Sequence, residues 1–249
     1  MAHRRLKARG ILGSAITGAL VVSALVVVPG VAASASSPAP LRHLASGPLP
    51  AIVPIPAGAG SHGYPYDAVP VKPSFPGAPT INLAHFGYAQ REFKMSGTTN
   101  VYQQSGFWGS NGVWNVSVAQ RNVPYATRLL VRYPTNPAKF NGTVVVEWLN
   151  DTTGGDQDPV WSEIYHEVLS QGYAYVGVSA QTGSMVEDKT WDPVRYAALG
   201  DSSDGQSYDI FSQAAQVARA DTANLLGGLK PSRFAVSARA TCAAWLKMS

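Results

Sequence analysis

Residues 143 to 181 constrain the fold more than any other stretch, because the hydrophobic period there switches from strand to helix and back. Thr143-Val-Val-Val-Glu-Trp-Leu149 is a run of β-branched and aromatic residues, closed by Asn150-Asp-Thr-Thr-Gly-Gly-Asp156, the small polar residues that end strands. From there Val160, Trp161, Ile164, Tyr165, Val168 and Leu169 recur at helical spacing, with Ser162, Glu163, His166, Glu167 and Ser170 on the other side. Gly172 takes the position of a helix C′ glycine, and Tyr173-Ala-Tyr-Val-Gly-Val-Ser179 returns to a short apolar run. A strand–helix–strand unit builds a mostly parallel sheet with helices on its faces. Ligands of such sheets bind beyond the carboxyl ends of the strands, here residues 150–158 and 180 onward.

The first 35 residues stand apart from this pattern. Arg4, Arg5, Lys7 and Arg9 precede an almost wholly apolar stretch from Ile11 to Val28, and Ala33-Ser34-Ala35 offers a small-x-small cleavage site. This is the pattern of a secretory signal peptide, so the chain is expected to be exported; an uncleaved membrane anchor is the alternative, weakened by Gly13, Ser14, Thr17, Gly18 and Ser23. Without those four basic residues, 15 of the 19 Lys+Arg remain against all 15 Asp+Glu. The formal charge of +4 therefore belongs to the leader, and neither a nucleic-acid partner nor a membrane surface is expected for the mature part. Cys242 is the only cysteine, so no internal disulfide is expected and the core must hold the fold.

Residues 36–80 contain eleven of the 18 prolines and read as a linker or arm, with no sustained PxxP register for a proline-rich ligand. A single domain is expected over 81–249, with order starting near Thr80. Gly87 to Tyr102 and Val113 to Val118 read as strand pieces interrupted by Gly97, Gly106, Gly109 and Gly112, hence hairpins, and Tyr125 to Tyr133 as a firmer strand. Gln181 to Ser207 reads as a long Asp-, Gly- and Ser-rich loop. Phe211, Ala214, Ala215 and Ala218 then share one face of a second helix, ended by Gly227-Gly228 and Pro231, and Arg233-Phe-Ala-Val-Ser237 is a further strand. Val144, Val146, Trp148, Val176, Val178, Phe234 and Val236 are expected in adjacent parallel strands under the Val160 to Leu169 face.

The order of these segments resembles the α/β-hydrolase fold, and in particular a family of exported or bacterial α/β-hydrolase-domain proteins. The resemblance rests on Phe140-Asn-Gly-Thr-Val-Val-Val-Glu-Trp-Leu-Asn150, Gly172-Tyr-Ala-Tyr-Val-Gly-Val-Ser-Ala-Gln181, Trp191-Asp-Pro-Val-Arg-Tyr196, Tyr208-Asp-Ile-Phe-Ser-Gln213 and Leu226-Gly-Gly-Leu-Lys-Pro-Ser-Arg233, and covers roughly residues 86 to 237. It implies a mostly parallel sheet with flanking helices, incomplete at the C-terminus. It also implies hydrolysis of a small-molecule ester by a serine, a histidine base and an orienting acid, without a cofactor or metal. One oxyanion-hole N–H then comes from the loop after the strand at 143, which makes Asn150, Asp151, Thr152, Thr153, Gly154 and Gly155 candidates; a plain turn joining strand to helix is the alternative.

The resemblance fails at the nucleophile. Relatives are expected to show Gly-x-Ser-x-Ser or Gly-x-Ser-x-Gly after the strand ending near Ser237, whereas this chain reads Ala238-Arg-Ala-Thr-Cys-Ala-Ala244. The nucleophile position falls at Ala240, and the acid and histidine that follow in chain order are not reached. The expectation is a truncated or frame-shifted hydrolase without an intact triad. Cys242, two residues past that position, is a weak substitute nucleophile and fits a small buried hydrophobe better.

Other polar residues carry less. His166 lies on a polar helix face and lacks the second histidine of a metalloprotease motif, while His85 and His62 have no partner assignable from sequence. Asp151, Asp156 and Asp158 miss the calcium-loop spacing. Asn115-Val-Ser117 and Asn141-Gly-Thr143 are formal glycosylation sequons. A second functional reading is a noncatalytic secreted protein using the 181–207 loop with Trp108, Trp114 and Trp191 to hold a ligand.

Overall fold

The structure is a computed structural model that describes residues 48–55, 81–108, 115–152 and 155–238. Six strands form one mixed sheet: β1 Ala51–Pro54, β2 Tyr88–Gln104, β3 Val116–Pro134, β4 Thr143–Trp148, β5 Ala174–Val178 and β6 Arg233–Ala238. Their spatial order is β1-β2-β3-β5-β4-β6. β1, β2, β3 and β5 pair antiparallel in succession, while β4 runs parallel to both β5 and β6. Among the described residues four α-helices accompany the sheet: α1 Pro159–Gln171, α2 Thr182–Trp191, α3 Ser207–Ala220 and the short α4 Thr222–Leu225.

The strand–helix–strand unit at 143–178 forms as its residue pattern requires. Pro159 occupies the first turn of α1, where its missing N–H costs nothing, and Gly172 closes the helix at φ 74. A Cβ on Gly172 would lie 1.8 Å from the Lys139 carbonyl oxygen, so glycine is needed there for space as well as for φ. The Tyr88 hydroxyl donates to the carbonyls of Val168 and Tyr173, both at 2.8 Å, and pins the end of α1 to β2.

Alternation along the strands sends neighbouring side chains to opposite faces, and a different helix covers each. Trp161, Val168 and Leu169 of α1 pack on Val145, Tyr175 and Tyr88. Val144, Val146, Trp148, Val176 and Val178 point the other way, onto Ile210, Phe211, Ala214, Val217 and Ala218 of α3. The expected cover of this valine set by the Val160 to Leu169 face is therefore corrected: the strands are adjacent and parallel, but α3 covers that face. On β6, Val236 is 51% exposed, so the outer parallel strand is not buried like β4 and β5.

Three further expectations change. The separate hairpins of 87–118 and the strand at 125 are one long antiparallel hairpin of β2 with β3. Gly97 does not break it; a Cβ there would come within 3.3 Å of Gln213, Pro50 and Tyr125, so its absence makes room for the 2.5 Å bond from the Tyr125 hydroxyl to Gln213 Oε1. A register shift between the Thr99 and Val101 pairings accompanies Asn122 at φ 56, the signature of a bulge that lets the hairpin continue.

Order also starts earlier than Thr80, since Ala51–Pro54 lies in the proline-rich stretch and pairs with β2 as the outer strand, a position that tolerates proline. Finally, 181–207 is not a structureless loop. It holds α2, and Met185, Tyr196 and Leu199 form a buried cluster with Ile55 and Trp191 packed against it. Paired backbone bonds of 2.8 Å between Ala126 and Gly200 fasten it to β3.

Candidate active site

The carboxyl ends of β4, β5 and β6 lie side by side, with Trp148 opposite both Val178 and Ala238. The loop after β4 therefore starts beside the last residue of β6, while its side chains reach toward β3, the end of β5 and α2. Backbone bonds of 2.9 and 2.8 Å between Asn150 and Gln157 pinch the neck of this loop. Asn150 Oδ1 accepts the Thr152 N–H at 2.7 Å and its hydroxyl at 2.5 Å. Gly155 sits at φ 122, a conformation that a side chain disfavours. Of the candidate oxyanion residues, Asn150, Asp151, Thr152 and Gly155 thus share this loop, while Thr153 and Gly154 lie outside the described residues. The N–H groups of Asn150 and Thr152 are already committed inside it.

The far end of the loop is fastened by buried charge. Asp156 Oδ2 accepts Arg128 Nη1 at 3.1 Å and the Ser179 hydroxyl, and Asp158 Oδ2 accepts Arg132 Nη1 at 2.8 Å. Arg132 lies over Trp161, its guanidinium carbon 4.1 Å from the ring centroid, and takes Gln90 Oε1 on its Nε. Asp158 makes no side-chain cap of α1. That role passes to Glu147 of β4, whose two oxygens accept the N–H groups of Val160 at 2.8 Å and Trp161 at 2.9 Å. Burial, reinforced by the neighbouring Asp158, raises the Glu147 carboxyl to about 7.

After β5, Gln181 Oε1 accepts the Trp148 indole N–H at 3.0 Å, and Thr182 donates its N–H to Asp204 and its hydroxyl to Asp201. Asp151 Oδ2 lies against Gly183, where a Cβ would approach it to 2.5 Å. The Asp151 carboxyl is raised by burial and by the charges of Asp204 and Asp156. These side chains make a polar rim at the carboxyl end of the sheet, the side on which an open α/β sheet binds ligands.

Ala240 and Cys242 lie outside the described residues. His85 sits in a short exposed turn, its backbone N–H capped by Asn82, and His166 stacks on Tyr165 at 4.1 Å between ring centroids. Of the three tryptophans considered as a ligand surface, Trp191 packs against the Met185 cluster and Trp108 donates to the Asn115 carbonyl across the hairpin; Trp114 lies outside the described residues. Among the described residues no group of three His, Cys, Asp or Glu side chains is arranged to hold a metal ion, and no helix is long and apolar enough to cross a membrane.

Sequence reading passed over the charges that organise this end of the sheet: Glu92, Arg128, Arg132, Glu147, Asp188 and Arg195. A signal for them exists. Arg128 and Arg132 interrupt an apolar strand four residues apart and so face the same side, and Glu147 interrupts a valine run. A charge inside a buried strand needs a partner.

Comparison with known proteins agrees with the geometry. No curated protein matches the sequence. Among solved structures, the rice cell wall degrading esterase LipA from Xanthomonas oryzae is similar at 12% identity, over 61% of this chain and 35% of that one. The TM-score is 0.29, too low for that likeness to carry any argument, and this chain spans about a third of the esterase's length. The alpha/beta hydrolase domain family matches residues 51–247, taking in β1, the whole described sheet and the positions of Ala240 and Cys242. A mixed sheet with helices on both faces and a pinched loop after β4, together with a family match over most of its length, make this chain a member of the alpha/beta hydrolase domain family.

Proposed function

We propose that the fold is built for carboxylic-ester hydrolysis of a small molecule, in an exported protein, and that this 249-residue polypeptide does not itself turn over. The observation that carries the reading is that β4 and β6 run parallel and end together, Trp148 opposite Ala238, so that the 150–158 loop starts beside the end of β6, in a chain of this family. Acyl transfer needs an attacking group beside N–H donors aimed at the developing oxyanion, and the resemblance puts the first after β6 and one of the second in the loop after β4. Since Asn150 and Thr152 spend their N–H groups within the loop, the donor is assigned to Asp151 or to residues 153–155. Ala240 at the nucleophile position has no group able to attack.

The test is an assay with an activated short-chain ester alongside labelling by a serine-directed fluorophosphonate. Neither turnover nor label is expected. Stoichiometric labelling, or turnover lost on changing one serine, overturns the inactivity, and turnover lost with Cys242→Ala assigns the attack to Cys242.

A further inference from the structure

Buried charge is unbalanced around Arg128. Its guanidinium, with no side-chain exposure, meets Glu92 Oε1 through Nε at 2.6 Å and Nη2 at 2.5 Å, and Asp156 Oδ2 through Nη1 at 3.1 Å. Glu92 Oε2 takes Arg195 Nε at 2.9 Å and Nη2 at 2.8 Å, with the Tyr196 hydroxyl at 2.9 Å. Glu92 thus takes donors on both oxygens, whereas Asp156 takes them on Oδ2 alone: its Oδ1 has no hydrogen-bond partner, and burial raises its carboxyl as well. Asp188, reaching in from α2, is 3% exposed, and its Oδ2 has no hydrogen-bond partner. Three carboxylates therefore share two guanidinium groups in a space closed to water.

The other groups facing the cluster deepen the imbalance. Glu187 of α2 acts on Asp188, and Asp151 of the loop interacts with Asp156. Asp192, also buried, accepts the backbone N–H groups of Val194 and Arg195. Ser184 of α2 and Ser179 at the end of β5 face Asp156 but carry no charge. Arg132 is engaged by Asp158, and the Lys189 ammonium lies toward Gly200. An anion left without a donor in such a place costs far more than the neutral acid.

We propose that Asp188 is a neutral, protonated acid in the folded protein at neutral pH, and that its proton lets α2 dock against the 150–158 loop beside the buried Arg128–Asp156 pair. Loop and helix do lean on each other: Asp151 abuts Gly183, and the Glu187 side chain comes within 3.3 Å of where a Gly155 Cβ would stand. Burial is the largest influence on Asp188 and raises its carboxyl well above the usual range; Arg128 opposes this, while Asp156, Glu92 and Glu187 add to it. Because the folded-state carboxyl is raised, its contribution to stability is present at low pH and is lost as pH rises through the folded value. Losing the proton sets an anion without a donor beside Asp156, and the contact between α2 and the loop loosens. The docking requires no particular chemistry at the loop, so it stands or falls apart from the hydrolase reading.

The test uses the full chain with aspartate carboxyl carbons isotopically labelled, titrated by NMR. One carboxyl carbon is expected to keep the shift of a protonated acid at neutral pH, and that signal is expected to be missing from Asp188→Asn. The amide is a neutral isostere, so the variant should match or exceed the parent's melting temperature on the alkaline side and lose the parent's decline there. Exchange of the Asn150 and Gln157 amides, corrected for its intrinsic pH dependence, should accelerate with alkali in the parent and not in the variant. Titration of every aspartate in the ordinary acid range overturns the proposal. So does an Asp188→Asn protein that melts lower at every pH while keeping the parent's pH dependence, or loop exchange that ignores the substitution.

Discussion

Tyr175 on β5 donates its hydroxyl to the Glu147 carboxylate on β4 at 2.7 Å, directly beneath the first turn of α1. The same carboxylate takes two of the helix's orphan N–H groups, so a strand side chain performs the capping that Asp158 does not. Its raised carboxyl, about 7 against an ordinary 4.5, means that the folded state holds a proton which the unfolded state has already released. Stability is therefore expected to fall as pH rises between these values, by about 3 kcal/mol from this group. Denaturant melts across that range measure it. Glu147→Gln should flatten the profile while costing about 1–2 kcal/mol at its acid end, because the amide offers one acceptor where the helix uses two.

Val146 is fully buried between β5 and β6 and points at α3. Val146→Asp places a carboxylate there without a partner, at a cost of roughly 4–5 kcal/mol, comparable with the whole stability of many domains. Circular dichroism and urea melts should show a largely unfolded chain. A variant melting like its parent contradicts the placement of β4.

Gly172 and Gly87 share nearly the same φ, 74 and 72, but differ in surroundings. A Cβ on Gly172 meets the Lys139 carbonyl oxygen, whereas one on Gly87 meets nothing within 4 Å. Gly87→Ala should cost about 1–2 kcal/mol of left-handed strain. Gly172→Ala should cost clearly more, because the backbone at Lys139, in the turn before β4, must also move. Paired thermal melts separate the two contributions.

Export remains a reading of the first residues, which lie outside the described ones. If Ala33-Ser34-Ala35 is the cleavage site, N-terminal sequencing of exported material should begin at Ser36. Intact Met1 in a membrane fraction would replace that reading with an anchored chain.

What the sequence determined by itself is local. The valine run before Asn150, the helical spacing from Val160 to Leu169 and the glycine at 172 each encode their element through side-chain period and backbone freedom, and each forms where it reads. The family resemblance rests on the same segments. Tertiary structure alone decided which helix lies on which face, since alternation separates Val144 and Val146 from Val145 without naming their partners. It also decided that Ala51–Pro54 is a strand, because an outer strand needs a neighbour more than it needs propensity. The buried charges are the deepest case. Arg128 belongs inside β3 only because Glu92 and Asp156, 36 and 28 residues away in the chain, arrive to meet it. A desolvated charge is stable only beside its partner, and that partner is a product of the fold.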